Sequence, residues 1–284
     1  MLISVLIIIF LSIPIYSQTD NSKTADQEKL ETILKKCAEY CERLANSALH
    51  FVCEETITEE IYYGHFEVSR SVSTSGGGGI TVRGGGRNVE RNKYVYDYQL
   101  IKKGEKIEET RILLKENGKK KHEKNAPLKT KRFYSKRSVY GPVGLLGKEQ
   151  QGKYDYKIIK EQTIKKRKTY VIEVEPKIKI EGNPNYGKVW IDKEDFSVLK
   201  IEIKQESLAG FEKLEQESKK QSTSPFITTM HDYFIEKNGI RFPSKTICEE
   251  MYVARMRRAR TKISETRITY DNYRFFTVDT KIKY

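Results

Sequence analysis

The feature that most constrains this chain is a succession of short runs in which apolar residues recur at every second position. In GKVWIDKEDFSVLKIEIKQE (187–206) a charged turn, Lys193-Glu194-Asp195, separates two such runs. Alternation puts Leu199, Ile201 and Ile203 on one face, with Val198, Lys200, Glu202 and Lys204 on the other. KYVYDYQLIKK, YDYKIIKEQTI, KTYVIEVEP and FITTMHDYF repeat the pattern, and Asn117-Gly118 and Asn238-Gly239 are hairpin dipeptides. These runs predict roughly ten or eleven strands, antiparallel because their connections are short. No Pro/Ser-rich linker divides residues 18–284, so one domain is expected there, after a separate leader at 1–17.

One segment has a different period. Leu30, Ile33, Leu34, Cys37, Cys41, Leu44, Ala45 and Ala48 follow helical spacing, opposite Glu31, Lys35, Lys36, Glu39, Glu42 and Arg43. An amphipathic helix of about six turns is predicted, starting at Thr24 with Gln27 completing a capping box. A shorter helix is expected within 207–222, where Leu208, Phe211 and Leu214 share a weak apolar face. The fold class expected is α+β: one large, curved, unclosed antiparallel sheet covered by these two helices. GPVGLLGKEQQGKY reads as a break, either a short helix or an apolar loop, and FYSKRSVY (133–140) is ambiguous.

The segment MLISVLIIIFLSIPIYS (1–17) has no charged side chain and is short for a membrane span. It reads as a secretory signal peptide, and an uncleaved anchor is the other reading. The rest of the chain is therefore expected to work outside the cytoplasm. The formal net charge is +14, and outside the cytoplasm such a surplus favours anionic surfaces over nucleic acid. RMRRAR (255–260) concentrates it: Arg255, Arg257, Arg258 and Arg260 form either a solvated loop or an anionic-membrane contact. Two further stretches read as loops, a Gly-rich one at 73–87 and a basic one at 117–132, and the second basic loop is bounded at 255–262. Cys41 and Cys53 flank the helix–strand junction and are candidates for a disulfide, with free buried thiols as the alternative.

Residues that announce chemistry are sparse. The four histidines stand apart, no Cys-x-x-Cys or Gly-x-Ser-x-Gly occurs, and the Gly-rich stretch lacks a Gly-Lys-Ser/Thr ending. Neighbouring carboxylates such as Glu54-Glu55 and Glu249-Glu250 fall in strands and face apart. Neither an enzyme nor a bound cofactor or metal is expected. An outer-membrane barrel fits poorly, because Lys and Glu occupy both faces of several strands.

The order of elements, together with GKVWIDKEDFSVLKIEI, DYFIEKNGIRFPSKTICEE and TRITYDNYRFF, resembles the LolA/LolB-like superfamily of periplasmic outer-membrane lipoprotein carriers. The likeness covers most of the chain after the leader. The chain departs from that group in its Gly-rich insertion, its basic charge and its cysteines. The resemblance implies an unclosed barrel around helices, with a hydrophobic cavity that shields the acyl chains of lipoproteins or lipids. On that implication the cavity would be lined by Tyr94, Tyr96, Tyr98, Leu100, Tyr170, Ile172, Val174, Val189, Ile191, Leu199, Ile201 and Ile203. The competing expectation is a filled core in an envelope protein that binds another protein or an anionic polymer through its basic loops.

Overall fold

A computed structural model describes residues 19–47, 50–63, 88–103, 106–132, 141–178, 185–220, 222–254 and 260–276. The leader, the Gly-rich stretch 73–87, residues 133–140 and Arg255, Arg257 and Arg258 lie outside the described residues.

The runs of alternating residues become one 11-stranded antiparallel sheet, open at both edges. Its strands are β1 (His50–Tyr63), β2 (Asn88–Lys103), β3 (Lys106–Glu116), β4 (Lys119–Lys124), β5 (Tyr154–Ile164), β6 (Arg167–Pro176), β7 (Gly187–Asp192), β8 (Val198–Ile203), β9 (Thr223–Asp232), β12 (Lys245–Ala254) and β13 (Arg260–Phe275). Their order across the sheet is β4-β3-β2-β1-β13-β12-β9-β8-β7-β6-β5. β10 (Ile235–Lys237) and β11 (Ile240–Phe242) form a separate two-stranded ribbon about Asn238-Gly239. The second Asn-Gly hairpin is thus an excursion from the β9–β12 pair. Part of the expected basic loop 117–132 is strand β4, whose residues are all exposed. Polar on both faces, it shows no alternation in sequence, and its lysines discourage edge-to-edge pairing. The basic loop expected at 255–262 is cut short, because β13 begins at Arg260.

Helix α1 (Thr19–Ser47) begins before the expected capping box and lays Ile33, Cys37, Tyr40, Cys41 and Leu44 against the sheet's core face. Two short helices, α2 (Gly141–Leu146) and α3 (Lys148–Gln151), occupy the stretch that reads as a break. Helix α4 (Phe211–Lys220) contributes Phe211 and Leu214 to the same core.

Two bulges decide which side chains enter that core. Between β7 and β8 the register passes from Trp190↔Lys200 to Ile191↔Val198, so Leu199 is the extra residue. Val198 therefore joins the contiguous core, and Leu199, though fully buried, lies outside it. This corrects the two-face assignment made from alternation. Between β1 and β13 the register passes from Val52↔Arg274 to Glu54↔Asp271, with Asn272 at φ 55°. The extra residue brings Tyr273 and Phe275 beside Phe51 and Phe242, with ring centroids 4.7–6.1 Å apart.

Cys37, Cys41, Cys53 and Cys248 are all buried as thiols, and Cys41 and Cys53 are not joined. Cys41 Sγ instead donates to the Pro142 carbonyl at 3.4 Å, and Cys53 sits within β1. Burial pushes the thiols of Cys37 and Cys53 far up and that of Cys41 to about 12, which removes the thiolate that exchange chemistry needs.

His231 is enclosed in the core face, with Nδ1 2.9 Å from Thr246 Oγ1, and burial pushes it down to about 4. Unfolded, it takes a proton near pH 6.5, so between these values the unfolded state binds more protons and stability falls with pH. Denaturant titrations should show a loss of roughly 3 kcal/mol from this source between neutral pH and pH 4. Glu250, raised by burial, acts in the opposite sense, so the difference between wild type and His231→Gln isolates the histidine. Identical pH slopes for the two proteins would contradict the assignment.

Candidate binding groove

Helix α1 is apolar over more of its circumference than the sheet alone covers. Its core stripe is flanked by Leu34, Ala38 and Ala45, and these face α2 and α3 across a groove of roughly 830 Å³. Val143 and Gly147 complete the apolar floor. Glu31, Lys35, Glu39 and Glu42 of α1 and Lys148 and Glu149 of α3 form a charged rim. The Lys36–Glu39 ion pair beside this rim, at 3.1 Å, is solvent-exposed and contributes little.

The groove's walls are fixed by backbone-directed hydrogen bonds. Gln151 Nε2 donates to the carbonyls of Leu34 at 2.7 Å and Leu146 at 2.9 Å, which ties α3 to both α1 and α2. Tyr156 Oη donates to the Leu145 carbonyl at 2.7 Å and fastens α2 to β5. Glycine is required where these pieces meet. A Cβ on Gly147 would lie 2.6 Å from the Val143 carbonyl oxygen, and one on Gly141 would lie 2.7 Å from Tyr233 Oη.

A polar cluster holds α1 from the other side. The Arg241 guanidinium, 6% exposed, donates from Nε to Ser197 Oγ at 2.7 Å and from Nη2 to Asp195 Oδ2 at 3.3 Å. The Arg241 backbone N–H donates to Tyr40 Oη on α1 at 3.1 Å. Burial would raise the Asp195 carboxyl, but bonds from Ser197 and the charges of Arg241 and Arg167 outweigh it and leave it below its ordinary range. The charged turn of 187–206 is therefore an anchor for the helix.

The residues expected to line a cavity are placed differently. Tyr94, Tyr96, Tyr98, Leu100, Ile172, Val174, Val189, Ile191, Ile201 and Ile203 are buried in the continuous core, with Tyr170 half-buried against it. None of these, nor Leu199, lines the groove. The wall that alternation identifies is real, and α1 with its partners packs upon it. Arg260, the described member of the basic cluster, holds its guanidinium 5.0 Å from the ring of exposed Phe226. Among the described residues, no group of three or more His, Cys, Asp or Glu gathers to hold a metal.

Comparison with known proteins places the chain in a family. A family model described as "-like: Uncharacterized protein" matches residues 129–281, more than half of the chain. The chain belongs to that family. No curated protein matches it. Among solved structures it is similar to the LolA superfamily protein NE2245 from Nitrosomonas europaea, at 12% identity and a TM-score of 0.32, over 89% of this chain and 96% of that one. It is also similar to a DUF1329 family protein from Desulfovibrio piger, at 12% identity and a TM-score of 0.36, over 89% of this chain and 94% of that one. Similarity at this level fixes neither a ligand nor a partner.

Gly147→Ala should destabilise the protein by about 1–3 kcal/mol, because the Val143 carbonyl must move. Gly144→Ala in α2 meets nothing within 4 Å and should be neutral or stabilising by up to about 1 kcal/mol. Equal effects in chemical denaturation would show that α2 and α3 are not held as described.

Proposed function

We propose that this protein is a periplasmic carrier or binding protein that shields an acyl chain of a lipid or lipoprotein in the α1–α2–α3 groove. The observation that carries the reading is the groove's combination of apolar floor, charged rim and size. A volume of roughly 830 Å³ lies in the range of small-molecule sites. Burial of an alkyl chain contributes about 0.8 kcal/mol per methylene. The sheet's core face supports the helices that form the groove, while the guest occupies the groove itself. No catalytic step is part of the reading.

The contact between Arg260 and exposed Phe226 favours a second reading, in which this end of the sheet meets an anionic membrane surface or envelope polymer. That reading predicts binding lost with added salt, because exposed charges are screened within about 10 Å at 0.1 M.

Ala38→Trp places a large ring on the groove floor without touching the core stripe. Titration of the protein with a fluorescent fatty acid should show affinity reduced by about tenfold or more in this variant. Unchanged affinity, with the variant folded by circular dichroism, would remove the groove as the acyl site.

A further inference from the structure

Strand β1 carries two buried glutamates on its core face, and their surroundings differ. Glu55 is paired on both oxygens: Arg111 Nε donates to Oε2 at 2.6 Å and Nη2 to Oε1 at 3.1 Å. Glu59 accepts the backbone N–H groups of Lys131 and Arg132 on Oε1 alone, each at 2.9 Å. Among the described residues its Oε2 has no hydrogen-bond partner, although the residue is 0% exposed.

On β12, Glu250 is 1% exposed and repeats the arrangement. Ser264 Oγ donates to its Oε2 at 3.1 Å, Arg132 Nε stands 3.7 Å from that same oxygen, and among the described residues Oε1 has no hydrogen-bond partner. The register places the two acids on either side of β13, two residues apart along it, with Glu59 opposite Thr266 and Glu250 opposite Ser264.

Both carboxylates converge on Arg132, one through its backbone and one through its side chain. At 3.7 Å the guanidinium pairs with Glu250 by charge but is beyond good hydrogen-bond distance. A buried acceptor left open costs about 1–3 kcal/mol, and more when charged. Two such oxygens mark an incomplete site. Burial raises the Glu250 carboxyl, and the Arg132 charge and the Ser264 bond oppose it, as an arriving cation would.

We propose that Glu59 and Glu250 form a binding site for an external alkylammonium group, for which Arg132 is the chain's own stand-in. An ammonium offers three donors on a compact charge, which suits two separate open oxygens better than one distant Nε. Ile57 and Ile61 on β1, and Tyr94 opposite Ile57 on β2, are buried and provide apolar surface for the alkyl stem. Within 125–132 Ala126 is buried, Leu128 packs half-buried against the core, and the Lys131 and Arg132 amides bond Glu59. The group would come from an amine-headed lipid or from a lysine side chain of a protein partner. The site shares no residue with the α1–α2–α3 groove, so it stands or falls separately.

Arg132→Ala vacates the stand-in while keeping the backbone bond to Glu59. Millimolar n-octylammonium, below its micelle concentration, should raise the melting temperature of this variant by about 3 °C more than that of wild type. Adding Glu250→Gln should abolish the gain. n-Butylammonium, equivalent to a lysine side chain, distinguishes the sources: equal rescue assigns the site to lysine, and stronger rescue by the octyl chain assigns it to a lipid. If Arg132→Ala does not fold, hydrogen exchange on wild type takes its place, with faster exchange of the Lys131 and Arg132 amides expected on adding octylammonium. No extra gain in Arg132→Ala, a gain that survives Glu250→Gln, or unchanged amide exchange overturns the proposal.

Discussion

Everything in this structure depends on the burial of one stripe of α1 against the core face of the sheet. An 11-stranded sheet that does not close exposes an apolar face along its whole width. Ile33, Cys37, Tyr40, Cys41 and Leu44 pack into its core, each at 3% exposure or less. Fully burying a large aliphatic side chain contributes roughly 1.5–3 kcal/mol, so this contact outweighs any exposed ion pair on the helix. The Arg241–Asp195–Ser197 cluster then fixes the helix's position, since Tyr40 is bonded to the Arg241 backbone.

That packing has a functional consequence. A helix seated on the wall leaves its flank, not the wall, available to a guest. Leu34, Ala38 and Ala45 have small or half-buried side chains on that flank, and α2 and α3 stand opposite at a distance set by Gln151 and by the glycines. The buried charges follow a different rule. Glu55 is matched by Arg111, whereas Glu59 and Glu250 share Arg132 and leave two oxygens open. A core that satisfies one acid fully and two others partly has its unmet polar demand in one place.

Much of the fold was legible in the sequence because its period is simple. Alternation located the strands, and helical spacing located α1 and the body of α4. Bulges were not legible: Leu199 and Asn272 each insert one residue, and nothing local distinguishes Leu199 from its neighbours. β4 was missed because an exposed edge strand of lysines has no apolar phase. α2 and α3 were obscured by glycines at Gly141, Gly144 and Gly147, of which the first is set against Tyr233 and the last against the Val143 carbonyl one turn earlier. The groove had a signal that went unread. The apolar stripe of α1 runs from Leu30 through Ala45 and is wider than contact with a single sheet requires. The acid pair could not be read at all, because Glu59 and Glu250 are far apart in sequence and are related only through the register of β13.

The central claim is that α1 fills the hollow of the sheet and displaces the guest site to its own flank. A spin-labelled acyl chain bound to isotope-labelled protein tests this directly by paramagnetic broadening of backbone amides. Broadening centred on Ala38, Ala45 and Gly147 is the predicted result. Broadening centred on Val189, Ile191 and Ile201, with the α1 flank unaffected, would show that the chain enters the sheet's interior and that the packing described here gives way to it.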